Sequence, residues 1–242
     1  MALKKIGLKL YVYTGTEGSY TSSDLKYQME KDRISNQDNI IVEIAQLVKD
    51  FLDNNFNDDY VCATKWATAV VDFYDSETNE IFVTNGTQIF NYLAFDGYGH
   101  FEEEVNPQLS TDLLQTSLNM YLPEGIAGKL PIFAEGVGKV IIDSTTTEIT
   151  DSLDSNQKIQ YITIPANTST VEVYATDDTT LLKTVTVNNV CEPKFTPYKL
   201  TFVNKLGAYQ DIYFFKKTTE SFNVTDETYK RNNINTSTVT YG

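Results

Sequence analysis

Residues 198–217, YKLTFVNKLGAYQDIYFFKK, are the most apolar and aromatic part of a 242-residue chain, and their reading sets the fold class. Between 199 and 204, Leu200 and Phe202 fall on one side of an extended segment and Thr201 and Val203 on the other, the two-residue period of a strand. Lys205-Leu206-Gly207-Ala208 follows, and Gly207 accepts the positive φ that a tight return requires. The chain then resumes with Tyr209, Asp211, Tyr213 and Phe215 alternating with Gln210, Ile212 and Phe214, a run of aromatic and β-branched character that strands favour. The stretch predicts a β-hairpin, bulky on both faces and therefore expected at the packed centre of a C-terminal β domain.

Composition carries the same reading outward. Hydrophobic residues make up 41% of the chain, enough for a core, and 16 Tyr and 13 Phe beside abundant Thr, Val and Ile favour strands over helices. The expected class is mostly β: two β-sandwich-like domains, residues 1–110 and 111–242, the first with one amphipathic α-helix packed on its sheet.

In the first of these, Ile6, Leu8, Leu10 and Val12 alternate with Lys9 and Tyr11, a half-buried strand. Residues 14–37 are polar and turn-rich and read as an exposed loop or arm. Over 39–54, Ile41, Ile44, Ala45, Leu47, Val48, Phe51 and Leu52 recur at three- and four-residue spacing and predict a helix capped by Asp38 or Asn39. Residues 60–74 predict a long strand, 75–79 its turn, and 81–83 and 88–95 two strands joined at Asn85-Gly86, a strong two-residue hairpin signal. Short strands are expected at 118–121, 129–133, 139–142, 160–164, 170–174 and 182–187, separated by polar turns as in a small β-sandwich. A proline-bearing connector, 191–197, leads into the hairpin, and residues 218–242 form a polar C-terminal tail.

A net charge of −14 repels a polyphosphate backbone, so direct nucleic-acid binding is disfavoured, while a basic partner would be attracted. No run approaches the roughly 18–20 apolar residues of a membrane span, and the first residues lack a signal-peptide core, so a soluble chain made in a cytoplasm is expected. Cys62 and Cys191 have no metal-ligand spacing, and whether they pair is left open.

Catalytic chemistry finds few candidates. A zinc centre or a Ser-His-Asp triad needs convergent histidines or cysteines, and the only histidine is His100, beside Glu102, Glu103 and Glu104. The 33 Asp and Glu residues contain no spacing that singles out a glycosidase pair. Gly125-Ile126-Ala127-Gly128-Lys129 and Gly136-Val137-Gly138-Lys139 lack the gap and the Ser or Thr of a phosphate loop and read as strand turns. The acid-rich residues 53–59 lack the glycine and terminal glutamate of a calcium loop. The aromatic loop 95–101, with Tyr98 and Phe101, is either a platform for a sugar or a partner's backbone, or a glycine turn pinned to the core. The expectation is of no catalytic, cofactor or metal residues, and of a protein that is not an enzyme.

Three blocks carry a resemblance: Val42-Glu43-Ile44-Ala45 through Asp50-Phe51-Leu52; Leu93-Ala94-Phe95-Asp96-Gly97-Tyr98-Gly99-His100-Phe101-Glu102-Glu103; and, most specifically, Cys191-Glu192-Pro193-Lys194-Phe195-Thr196-Pro197-Tyr198 onward through Ala208. Together they resemble virion structural proteins of crAss-like and other Bacteroidota-infecting tailed bacteriophages. The resemblance implies a structural component of a tail, neck or ring, a symmetric homo-oligomer with other virion proteins as neighbours, assembled in the host bacterial cytoplasm and located in the virion. A neck or tail ring or connector protein is the expected role, with the N-terminal arm, the loop after Thr14 and the C-terminal tail as intersubunit clasps. The alternative is a receptor- or glycan-binding module of a tail fibre or spike, with 98–101 as its platform.

Overall fold

A computed structural model of the chain describes residues 3–34, 39–97, 113–151, 154–191 and 194–217. The mostly β class is what it shows. The first sheet contains β1 (Leu3–Tyr13), β2 (Leu25–Asp32), β3 (Thr64–Asp75) and β4 (Thr87–Phe95), in the order β2-β1-β3-β4 with every pair antiparallel. The alternation of β1 places Ile6, Leu8, Leu10 and Val12 on one buried face. Register sets Leu10 between Tyr27 of β2 and Ala69 of β3, and Leu8 between Met29 and Val71. Residues 42–52 lie over this face, burying Val48 and Leu52 and packing Val42, Ile44, Leu47 and Phe51 against the sheet.

Three expectations for this half need correction. The helix expected at 39–54 is a single short α1, Ala45–Lys49. Ile40, Ile41, Val42 and Ile44 are β-branched residues whose χ1 freedom a helix would restrict, the N-cap position is Ile44 without a capping side chain, and Ile41 remains 64% exposed. The apolar spacing that suggested a helix face is met here largely by irregular chain, from which Val42 and Ile44 still pack against the sheet. The loop expected at 14–37 contains a 3-10 turn (Ser22–Asp24) and all of β2, which pairs with β1 from Lys5↔Asp32 to Tyr11↔Leu25. Its inward residues are Tyr27 and Met29, and the intervening charges hid their period. Finally, Asn85-Gly86 does not make a two-residue hairpin. The chain reverses at 76–80, where the Asp75 carboxylate accepts the Glu77 N–H at 2.7 Å, and Ile81 bridges to Tyr74. Residues 82–86 then leave the ladder as an insertion; Phe73 donates to the Gly86 carbonyl at 2.7 Å and accepts from the Phe82 N–H at 3.0 Å on either side of it.

The second half contains β5 (Asn119–Pro123), β6 (Gly128–Phe133), β7 (Val137–Ile142), β8 (Thr145–Glu148), β9 (Ile159–Ile164), β10 (Thr170–Ala175) and β11 (Leu181–Val190). Five strands make a sheet in the order β5-β11-β10-β7-β8, with β5 and β11 parallel, and β6 pairs with β9. Inward residues of both, including Leu122, Leu130, Ile132, Val140, Ile164, Val171, Val173 and Val185, meet in one core. The strands expected from sequence are all present within a few residues. Only β8 was not anticipated, because its four exposed residues, TTTE, carry no apolar alternation.

The last pair, β12 (Tyr198–Val203) and β13 (Tyr209–Phe214), is the hairpin expected at 198–217. Its turn is organised by Asn204, fully buried, whose Oδ1 accepts the Leu206 N–H at 2.9 Å and whose Nδ2 donates to the Leu114 carbonyl at 2.6 Å and to Gln210 Oε1 at 3.1 Å. The turn packs into a third cluster that joins the halves: Cys62 and partly buried Phe56, Leu93 and Phe95 from the first meet Leu114, Phe133, Tyr161, Leu206, Ala208 and Tyr209. The boundary expected near residue 110 lies outside the described residues.

Gly207 has φ +81°, and a Cβ there would sit 2.7 Å from Phe95 Cβ; a Cβ on facing Gly97 would sit 2.7 Å from the Lys205 carbonyl. Gly207→Val should therefore lower stability by more than about 2 kcal/mol, combining a forbidden φ with a steric clash. Denaturant unfolding checks this, and a soluble variant with an unshifted midpoint would mean the turn adapts.

Candidate interaction surface

Two polar junctions hold the loops against the sheets. At the first, Asn156 is buried and donates from Nδ2 to the Thr64 carbonyl at 2.6 Å, while its Oδ1 accepts the Gly15 N–H at 2.8 Å. Thr64 Oγ1 returns a bond to the Asn156 carbonyl at 2.7 Å, and the Trp66 indole donates to the carbonyls of Gly15 and Asp154. The start of the segment expected to be a free arm is thus tied within its own chain, with Glu17 N–H donating to the Asp154 carbonyl at 2.8 Å. Thr16 and Ser155 form an isolated antiparallel bridge at the same place.

The second junction centres on Tyr161. Its hydroxyl accepts the Tyr209 N–H at 2.6 Å and lies 2.9 Å from Cys62 Sγ. Burial raises the Cys62 thiol and the Tyr161 phenol above their ordinary values of 9.0 and 10.0, the opposite of an activated nucleophile. Nearby, Tyr60 donates to Asp211 at 2.5 Å and accepts from Lys199 at 3.1 Å, and burial likewise raises Tyr60. Buried Lys158 is neutralised by Asp151 at 2.7 Å and Glu135 at 3.8 Å. These groups read as structural pairs rather than an acid–base set.

Among the described residues no cluster of His, Cys, Asp and Glu could hold a metal ion. Tyr98, His100, Phe101 and Glu102 to Glu104 lie outside the described residues, as do Asp38 and the tail 218–242. Gly125 turns the chain between β5 and β6, and Gly136 leads into β7, which contains Gly138, so both glycine motifs are strand turns. In the acid-rich stretch, Asn54 bridges Asp96 at 2.9 Å and the Ala63 N–H at 2.7 Å, a structural tie. Cys62 is buried and Cys191 exposed, and both are thiols.

The exposed surface is more informative. The register Tyr198↔Phe214 and Leu200↔Ile212 places these four side chains together on one face of the hairpin, with exposures of 53%, 50%, 48% and 36% in that order. The hairpin is therefore packed at its turn and on its Tyr60 side but not at the centre of a domain, which corrects the sequence reading. Both faces alternate bulky residues, so periodicity could not say which one meets solvent. A second apolar exposure is β4, where Ile89, Phe90 and Tyr92 are uncovered. Scattered apolar surface is ordinary, whereas apolar residues grouped on one strand face are a mark of contact sites.

Comparison with protein-family models, curated proteins and solved structures returned no match for this chain.

Asn156→Ala would leave the buried carbonyl of Thr64 unpaired, at about 1–3 kcal/mol, and would release the exposed Gly15 N–H to solvent. The expected result is a lower urea midpoint with an unchanged slope. The pH dependence follows from Cys62, Tyr60, Tyr161, Tyr209 and Tyr213, all raised chiefly by burial. With folded values above the unfolded ones, the stabilisation is complete below the ordinary thiol and phenol range and is lost as pH rises through the folded values. Unfolding free energy attributable to these groups should be level near neutrality and fall from about pH 9 upward, with a shallower fall in Tyr161→Phe.

Proposed function

We propose that the chain is a structural subunit of a tailed-phage virion, a neck or tail ring or connector protein that works through oligomeric interfaces. The observation that carries this reading is the exposed apolar face of the hairpin, Tyr198, Leu200, Ile212 and Phe214, on an element whose turn is locked into the core. A rigidly mounted apolar strand face is suited to burial against another protein. The three sequence blocks that resemble virion proteins of Bacteroidota-infecting phages supply the assembly, and the third contains β12 itself.

The role requires no catalytic residue, cofactor or metal. Its partners are copies of the chain and neighbouring virion proteins of the tail, neck or portal-proximal region, and its location is the assembled particle. A net charge of −14 suits a subunit lining a DNA passage, because an acidic wall does not adhere to the polyphosphate moving past it.

Imaging of purified particles and mass measurement of the purified protein test the reading together. The expected result is a closed ring, on the order of 6 or 12 copies, present in every particle. A strictly monomeric chain absent from purified virions would overturn it.

A further inference from the structure

Sheet edges are open templates for pairing, and most proteins blunt them with charge, proline or shortness. This fold does so selectively. β2, LKYQMEKD, is guarded by Lys26, Glu30, Lys31 and Asp32; β8 has only four residues; β5 ends in Pro123. β4 and β12 differ. β4 is nine residues long, TQIFNYLAF, without a charge, proline or glycine, and its first six residues are all exposed. β12, YKLTFV, has one charge, Lys199, whose Nζ bonds the Tyr60 hydroxyl instead of shielding the edge. Among the described residues, nothing pairs with β4 opposite β3, or with β12 opposite β13.

Charge separates the two edges. Residues 72–96 carry five acids, Asp72, Asp75, Glu77, Glu80 and Asp96, and no lysine or arginine. Residues 194–217 carry five exposed lysines, Lys194, Lys199, Lys205, Lys216 and Lys217, against the single acid Asp211, within a chain that is otherwise strongly acidic. Pairing β4 with β4, or β12 with β12, would oppose like charges. Pairing β4 with β12 brings acid to base and apolar face to apolar face.

We propose that β12 of one copy adds to the free edge of β4 in a second copy, a head-to-tail contact that extends one sheet across the subunit boundary. The inference rests on the assembly reading above and names its partner surfaces. Direction follows from exposure. The uncovered part of β4 is its N-terminal part, next to Glu77 and Glu80, and the most exposed part of β12 is also its beginning, Tyr198 to Leu200, next to Lys216 and Lys217. Matching exposed half to exposed half, and acid to lysine, sets the two strands parallel. Tyr198 and Leu200 of β12 then lie beside β4 on one face of the joined sheet; the exposed apolar residues that β4 offers are Phe90 and Tyr92 on one face and Ile89 on the other. Because the two surfaces differ, the contact is heterologous, and repetition produces a ring where the rotation closes.

The test uses full-length chains carrying one blocked edge each, Ile89→Lys on β4 and Leu200→Lys on β12, with circular dichroism and thermal melting as folding controls. The unsubstituted protein should form oligomers on mass photometry. Each variant should lose them, and an equimolar mixture should recover dimers but nothing larger, since one good β12 and one good β4 remain. Oligomers persisting in either variant, or a mixture that stays monomeric, would overturn the pairing while leaving a ring in the particle untouched. An unsubstituted chain monomeric at every concentration, or one in which the β4 amides that point away from β3 are already protected from hydrogen exchange as a monomer, would overturn it too. Should a blocked strand unfold, charge reversal on exposed residues replaces it: Glu77→Lys with Glu80→Lys, and Lys216→Glu with Lys217→Glu, should each weaken assembly and restore it when combined by mixing. Absence of that restoration would equally count against the contact.

Discussion

Buried backbone groups outside a ladder must still find hydrogen-bond partners, and in this chain two carboxamides meet much of that demand. Asn156 ties the exposed turn at Gly15 to the buried first residue of β3, Thr64, and Asn204 serves Leu114, Leu206 and its own turn. An unpaired buried amide or carbonyl costs on the order of 1–3 kcal/mol, comparable to a sizeable share of a domain's net stability. Each asparagine sits where segments distant in sequence converge and no strand register exists to align them. The three apolar clusters supply bulk stabilisation without direction, and these polar contacts decide which loops meet.

The same division explains what the sequence revealed. Strands with clean alternation, such as 6–12 in β1 and the valines of β10, were legible because one face is buried and the other is not. The helix expected at 39–54 shrank to Ala45–Lys49 because apolar residues at helical spacing also occur in irregular chain packed on a sheet, and the β-branched residues at 40–44 disfavour a helix there. β2 was hidden by its charges, which guard an edge and so mimic a loop. β8, supported by backbone pairing to β7 alone, left no side-chain pattern to read. Of the candidate surface, the hairpin itself was visible, but its exposed face was not, since burial there depends on which neighbours the turn contacts.

The surface shows how rigidity and availability are combined in one element. Asn204 and the facing glycines lock the turn of the hairpin, while Tyr198 and Phe214 at its open end stay in solvent. A strand held this way would lose little freedom on meeting a partner, which would keep the entropic cost of association low. The unblunted edge of β4 is fixed in the same manner through its ladder to β3.

The order of synthesis adds a last consequence. β5 waits for β11, some sixty residues later, before its ladder among the described residues forms, and the third cluster stays open until residues 204–209 arrive. A chain cut short before the hairpin therefore lacks both a finished interior and the lysine-bearing exposed hairpin. Incomplete translation products would leave the apolar residues of that cluster uncovered, so the residues that complete the fold also set a full-length chain apart from a shortened one.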